Sequence, residues 1–170
     1  MLALARKFLW KQPSHIKGHA MTSQDISVRL MEARDFDAVV AIDEKVMKVA
    51  RPEYYRMKFE KLLNSQDCLP TSLVAVKPDG TVVGFIMGEL FIGEYGIFQE
   101  QATLDTIGVD PDAQQQGVGD RLMREFLDHL KSLGVQKVNT LVAWNDDKMV
   151  HFFSSKGFSP SQTINLEKKL

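Results

Sequence analysis

The sequence predicts a mixed α/β domain, with a sheet of antiparallel and parallel strands and helices on its faces. Two observations predict it. In the first half, strand-like runs follow one another closely, and "KPDG" joins two of them with Gly at the turn, a hairpin signal. In the second half, strands alternate with helical patterns, as in β-α-β crossovers. The full order reads β-α-α-β-β-β-α-β-α-β.

Residues 27–34, "SVRLMEAR", alternate Val28, Leu30 and Ala33 imperfectly and read as a strand. Asp35 is expected to cap a helix whose apolar residues Phe36, Val39, Val40, Ile42, Val46 and Met47 recur at helical spacing. Residues 51–63 form a second helix, with Pro52 in its first turn. Strands follow at 72–76 and 81–91, then at 102–109, "ATLDTIGV". Leu122, Met123, Phe126, Leu127, Leu130 and Leu133 make the apolar stripe of a helix ended by Gly134. Residues 137–144 read as a strand, and 146–156 as a short helix stopped by Gly157. Residues 162–170, "QTINLEKKL", read as a final strand at a sheet edge, given their charges.

Composition narrows the class. The 170 residues suit one domain, and 44% hydrophobic residues suffice for a core. A net charge of −1 gives no basic field for nucleic acid. The single cysteine, Cys68, excludes an internal disulfide, argues against structural zinc and fits a reducing cytoplasm. No apolar run approaches the roughly 18 residues of a membrane span. Residues 1–22 differ: the first twenty carry several Lys and Arg and no Asp or Glu. They lack the apolar core of a signal peptide and the Ser content of a transit peptide. The expectation is a flexible leader over 1–22, upstream of a start at Met21, and a single domain over 23–170.

"VDPDAQQQGVGD", residues 109–120, falls at a strand-to-helix turn. A helix N-terminus leaves backbone N–H groups without intrahelical partners, and its dipole is positive there. Such an end is an anion site, and Gly117 and Gly119 would let a phosphate approach without a Cβ in the way. There is no G-K-[ST], so this is not a Walker loop. The third Gly and distal acid of a dinucleotide fingerprint are missing too. On spacing alone, a glycine-loosened helix start fits equally well.

The context is more specific. Gln114, Gln115, Gln116, Gly117, Val118 and Gly119 spell Q-x-x-G-x-G, follow "IGVDP" closely and run into an amphipathic helix. Downstream stands "WNDDKMVHFFSSKGF". Over residues 27–170 this arrangement resembles the GNAT acetyltransferase superfamily: its Q/R-x-x-G-x-G/A signature after the fourth strand and its later "N-x-x-A…F-Y-x-K-x-G-F" segment. The resemblance implies the acyl-CoA N-acyltransferase fold and acetyl-CoA as cosubstrate. It implies that Ile107, Gly108 and Val109 pair with the pantetheine arm like an added strand. It further implies that main-chain N–H groups from Gln115 through Asp120 hold the pyrophosphate. Asp120 is unusual, since many relatives carry a small or basic residue there. Its charge should point away from a bound phosphate.

Acetyl transfer from a thioester to an amine needs a proton acceptor for the amine, donors for the oxyanion and, where the thiolate needs one, a proton donor. A backbone N–H on the strand carrying Val109 is the expected oxyanion donor. Asp105 is the candidate base, read as lying on the same strand face as Ile107, two residues on. Glu89, on the preceding strand, is the second candidate. For each, the plainer alternative is an acid paired with a neighbouring cation or facing solvent. Glu94 and Glu100, read as part of a connecting loop over 91–101, would instead attract a cationic acceptor.

The family's usual acid is a Tyr four residues before the Gly of "G-F", and here Phe153 stands at that position. A phenyl ring has no exchangeable proton, so Phe153, with Phe152, is expected only to pack beside the cofactor. Tyr95 is a conceivable substitute, and thiolate is also a tolerable leaving group without an acid. The family's Asn falls on Asp146, with Asn145 just before it. His151 beside two Phe reads as a partly buried structural histidine. Cys68 as a covalent nucleophile lacks a neighbouring His or acid. Met87, Met123 and Met149 read as core fillers.

The leading expectation is an acetyl-CoA-dependent N-acetyltransferase acting on a primary amine of a small molecule or protein, with no nucleic-acid, membrane or metal partner. The resemblance carries homodimers as an option, although no dimer-specific feature stands in the sequence. Phe153 supports the alternative of an acyl-CoA-binding or sensing module. A third class is an interaction protein without CoA affinity.

Overall fold

The computed structural model describes residues 25–64, 71–94 and 97–169. The expected leader, Cys68 and Tyr95 lie outside them. Strands β1 (Ser27–Leu30), β2 (Leu73–Val76), β3 (Val82–Glu94), β4 (Ile97–Val109) and β5 (Lys137–Thr140) form a five-stranded sheet in that order. Neighbours from β1 to β4 pair antiparallel, and β4 pairs with β5 in parallel. Helices α1 (Phe36–Met47) and α2 (Pro52–Asn64) connect β1 to β2, α3 (Val118–Ser132) crosses from β4 to β5, and α4 (Asp147–Ser155) follows β5. The mixed α/β class read from the sequence is the fold.

Both faces of the sheet are covered. On one, Leu122, Met123, Phe126 and Leu130 of α3 and Phe153 of α4 pack on Leu73, Ala75, Ile86, Ala102 and Leu104. On the other, Val39 and Ile42 of α1 and Tyr55 and Phe59 of α2 pack on Val74, Val76, Phe85 and Met87. All of β2 is therefore buried, since its alternate side chains enter opposite layers. Each fully buried large side chain contributes about 1.5–3 kcal/mol. Met87 and Met123 are core fillers as expected.

Several expectations change. Residues 91–94 and 97–101 are not a loop. Their backbone forms the far arms of the β3–β4 hairpin, with Phe91 opposite Gln101 and Ile92 opposite Glu100. Gly93 and Gly96 interrupt the apolar run here, which hides the strand character of both arms in the sequence. β5 stops at Thr140 rather than residue 144. The final strand expected over 162–170 does not form in 162–169, where Ile164 and Leu166 stay over 80% exposed. A strand pattern needs a paired edge as well as alternation. Asp35 does not cap α1 with its side chain. It is buried, grips Arg29 through both oxygens and accepts the N–H of Glu32.

Candidate active site

β4 outruns its neighbour. Pairing with β5 ends at Leu104 opposite Thr140, whereas pairing with β3 continues to Val109 opposite Gly84. Residues 105–109 therefore have one open edge. The Asp110 N–H donates to the Val83 carbonyl at 2.9 Å, which makes Val109–Gly84 a non-hydrogen-bonded pair of the ladder. By alternation, the main-chain groups of Ile107 and Val109 point into the gap, and those of Gly108 point to Phe85. Of the "IGV" run, Ile107 through both groups and Val109 through its N–H thus offer backbone to an added strand, since Gln114 takes the Val109 carbonyl. Gly108 answers a different need: a Cβ there would meet the Phe85 ring at 2.6 Å.

The gap leads to the start of α3. Asp110 accepts the Asp112 N–H and binds Lys45 at 2.7 Å, closing a short 3-10 turn over Pro111–Ala113. Gln114 folds back and donates Nε2 to the Val109 carbonyl at 3.1 Å. Gln116 donates to the Asp112 carbonyl at 3.2 Å. Gln115 has φ 61° and Gly117 φ 77°, so two left-handed residues turn the chain into the helix. Gly117 is the N-cap and brings no side chain to cap with. The first intrahelical bond is from the Arg121 N–H to the Gly117 carbonyl. The N–H groups of Val118, Gly119 and Asp120 thus stand at the positive helix end without intrahelical acceptors.

Val118 is buried and anchors this turn. A Cβ on Gly119 would meet only Val109 Cγ2 at 3.7 Å and Phe152 Cε2 at 3.9 Å. Packing does not require that glycine, and its missing Cβ leaves room where β4, α3 and α4 converge. Asp120 is mostly exposed and binds Lys156, the residue that caps the end of α4, at 2.7 Å. Lys156 also lies 5.7 Å over the Phe152 ring. Phe153 is buried, edge-on to Phe152 and Phe158. Phe152 is therefore the ring beside Gly119, and Phe153 belongs to the core. His151 is exposed rather than partly buried.

Asp105 and Ile107 are not on the same face. Met87 pairs with Thr106 and Gly88 with Leu104, so β4 carries one residue more than β3. That bulge resets the alternation. Ile107 packs on the α3 side, while Asp105 meets Lys58 of α2 at 2.7 Å. Thr106 also faces α2, where its Oγ1 lies 3.2 Å from the Tyr54 hydroxyl.

Lys58 brings the two candidate bases together, since it also binds Glu89 at 3.0 Å. Lys61 takes the other Glu89 oxygen at 2.6 Å. Burial pushes the Glu89 carboxyl up, but Lys61 and Lys58 together hold it below the usual carboxylate range. Burial pulls the Lys58 ammonium down, yet Asp105 and Glu89 hold it above its ordinary value. The sequence reading missed Lys58, Lys61, Tyr54 and Thr106. The signal was the i, i+4, i+7 spacing of Tyr54, Lys58 and Lys61, a polar stripe beside buried Tyr55 and Phe59.

The sequence model of the Acetyltransferase (GNAT) family matches residues 36–158. A mycothiol acetyltransferase of Propionibacterium freudenreichii is 31% identical over 133 residues, 76% of this chain and 41% of that protein. The chain thus spans about two fifths of that relative. An acetyltransferase of Yersinia pestis is 23% identical over 145 residues, 85% of this chain and 96% of its own length. Among solved structures, AAC(6')-Iy in complex with the bisubstrate analog CoA-S-monomethyl-acetylneamine superposes with a TM-score of 0.70 at 15% identity. The match covers 85% of this chain and 98% of that one. At that identity the likeness is one of fold.

Proposed function

Because the chain belongs to the GNAT acetyltransferase family, we propose that it moves an acetyl group from acetyl-CoA to a primary amine by direct attack in a ternary complex. The observation that carries this reading is the open β4 edge at Ile107 and Val109 running into the uncapped start of α3. Acetyl-CoA, when bound, supplies an activated thioester with a thiolate leaving group. The chain supplies the rest. Ile107 and Val109 hold the pantetheine arm through main-chain groups, and the free N–H of one of them donates to the oxyanion. The loop from Gln115 to Asp120 holds the pyrophosphate with backbone donors. Asp105, with Glu89 beside it, takes the proton of the attacking amine.

Glu94 and Glu100 favour a cationic acceptor, since the stretch 91–101 carries no Lys or Arg. Mycothiol acetyltransferase and AAC(6')-Iy bear the names of small-molecule acetyltransferases, and a small-molecule amine is the acceptor class we carry over, with a protein amine as the competitor. Among the described residues no helix is long and apolar enough to cross a membrane. With the lone Cys68, this supports a cytoplasmic reaction.

Thiol release from acetyl-CoA, measured with propylamine, spermidine, sisomicin and an N-terminal alanyl peptide, tests the reading. Asp105→Asn should lower turnover about 100-fold, a usual contribution of a general base. Tight CoA binding without thiol release from any amine would favour a binding module, consistent with Phe153 in place of a proton donor. Failure of CoA to raise the melting temperature would sink both readings.

A further inference from the structure

Helix α2 meets the sheet with two adjacent stripes. Tyr55 and Phe59 enter the core. Tyr54, Lys58 and Lys61 form the polar stripe, which lands on the β4 bulge and the facing part of β3. Lys58 is central to it. Its ammonium bridges Asp105 Oδ2 at 2.7 Å and Glu89 Oε1 at 3.0 Å. It also lies 5.8 Å over the Tyr54 ring. The side chains of Lys58, Glu89 and Asp105 keep only 23%, 21% and 19% of their surface exposed. These ions are therefore less screened than a surface pair.

A bulged residue lacks a ladder partner, so β4 alone does not fix the direction of Asp105. Two neighbouring carboxylates also repel each other, and a shared cation removes that cost. Lys58 of α2 binds Asp105, Glu89 of β3 shares the same ammonium, and Thr106, next to Asp105 on β4, meets Tyr54 of α2. Lys61 reaches the site through Glu89.

We infer that Lys58 is a positioning residue of the acetyl transfer, whose ammonium fixes Asp105 at the β4 bulge with Glu89 alongside. The inference rests on the reading of Asp105 as proton acceptor. Lys58 touches neither the amine nor the thioester; it acts through Asp105.

A double-mutant cycle tests this. Lys58→Met, Lys58→Arg, Asp105→Asn and Lys58→Met with Asp105→Asn are compared with wild type, using whichever of the four amines above turns over fastest. Lys58→Met should lower kcat about 10-fold and leave the acetyl-CoA KM within about twofold. Lys58→Arg, which keeps the charge, should recover about a third or more of the lost rate. In the Asp105→Asn background, Lys58→Met should cost less than about twofold.

A Lys58→Met enzyme with unchanged kcat overturns the inference, while a depleted Asp105→Asn enzyme still upholds the base. Equal losses from Lys58→Met in both backgrounds overturn it too, since Lys58 then acts without Asp105. So does loss of the CoA-induced rise in melting temperature, which would place the defect in cofactor binding or folding. A fully active Asp105→Asn enzyme sinks the base reading and this inference with it. Absence of thiol release with all four amines sinks the transfer reading itself.

Discussion

Lys156 Nζ lies 2.7 Å from Asp120 Oδ1, so the acid in the first turn of α3 carries its own counter-charge. An acid there suits the helix dipole but opposes a bound pyrophosphate. With Asp120 64% exposed, the pair itself stabilises the fold by no more than about 1 kcal/mol. Its effect should appear in binding. Lys156→Met is expected to weaken CoA by about fivefold at low salt and less at high salt. Adding Asp120→Asn should restore most of the loss. Calorimetric titration with CoA checks both; equal affinities across the series would show that Asp120 does not face the phosphates.

The two signature glycines should separate stability from binding. Gly117 sits at φ 77°, where a Cβ is strained, so Gly117→Ala should cost about 1 kcal/mol of stability. Gly119 is helical, and its added Cβ meets only ordinary contacts at 3.7 and 3.9 Å. Gly119→Ala should leave stability unchanged or raise it by up to about 1 kcal/mol, as Gly-to-Ala changes in helices do. It should nonetheless weaken CoA, because the Cβ enters the space where we propose the phosphate lies. Melting curves with and without CoA distinguish the two. A Gly119→Ala protein with undiminished CoA stabilisation would place the phosphate elsewhere.

Gly108 makes a contrasting case inside the same motif. A Cβ there would meet Phe85 Cε1 at 2.6 Å, and the Phe85 ring is fully buried. Gly108→Ala should destabilise by about 1–3 kcal/mol through overpacking. Phe85→Leu should relieve part of that when combined with it. Urea unfolding of the single and double variants checks the coupling, and strictly additive losses would refute it.

What the sequence disclosed follows from how local each feature is. The turn at Gln115–Gly117, the bare N-terminus of α3 and its apolar stripe depend on neighbours within a few residues, so spacing revealed them. The direction of Asp105 depends on one extra residue in β4 relative to β3, a register property that no single strand displays. The partners of Asp105 and Glu89 come from α2, 47 and 31 residues away in the chain. The plainer alternative, acids paired with cations, proved right in geometry. It also exposed Lys58, which the strand-centred reading passed over. Phe153 illustrates the same limit. Its motif position was legible, but whether its ring meets the cofactor or the core depended on how α4 docks.

The last prediction concerns Asp35 and Arg29, which fasten the start of α1 to β1. The guanidinium reaches both carboxylate oxygens at 2.7 Å, and Asp35 is only 3% exposed. Burial raises the Asp35 pKa, but Arg29 and the Glu32 N–H outweigh it and hold the carboxyl below its ordinary value. A folded pKa below the unfolded one contributes stability at pH values above the unfolded value, near 3.9 for Asp. That contribution is lost as pH falls through the folded value. Arg29→Gln removes the main opposing group and leaves the Glu32 N–H and Arg34, so the Asp35 pKa rises and less stability is present at neutral pH. The variant should lose about 2–3 kcal/mol at pH 7, below the usual cost of breaking a fully buried pair because Arg29 is partly exposed. Its deficit should shrink by pH 4, where the carboxyl takes up a proton. Urea unfolding of both proteins at the two pH values checks this, and a deficit equal at both would show that the Asp35 charge is not what Arg29 stabilises.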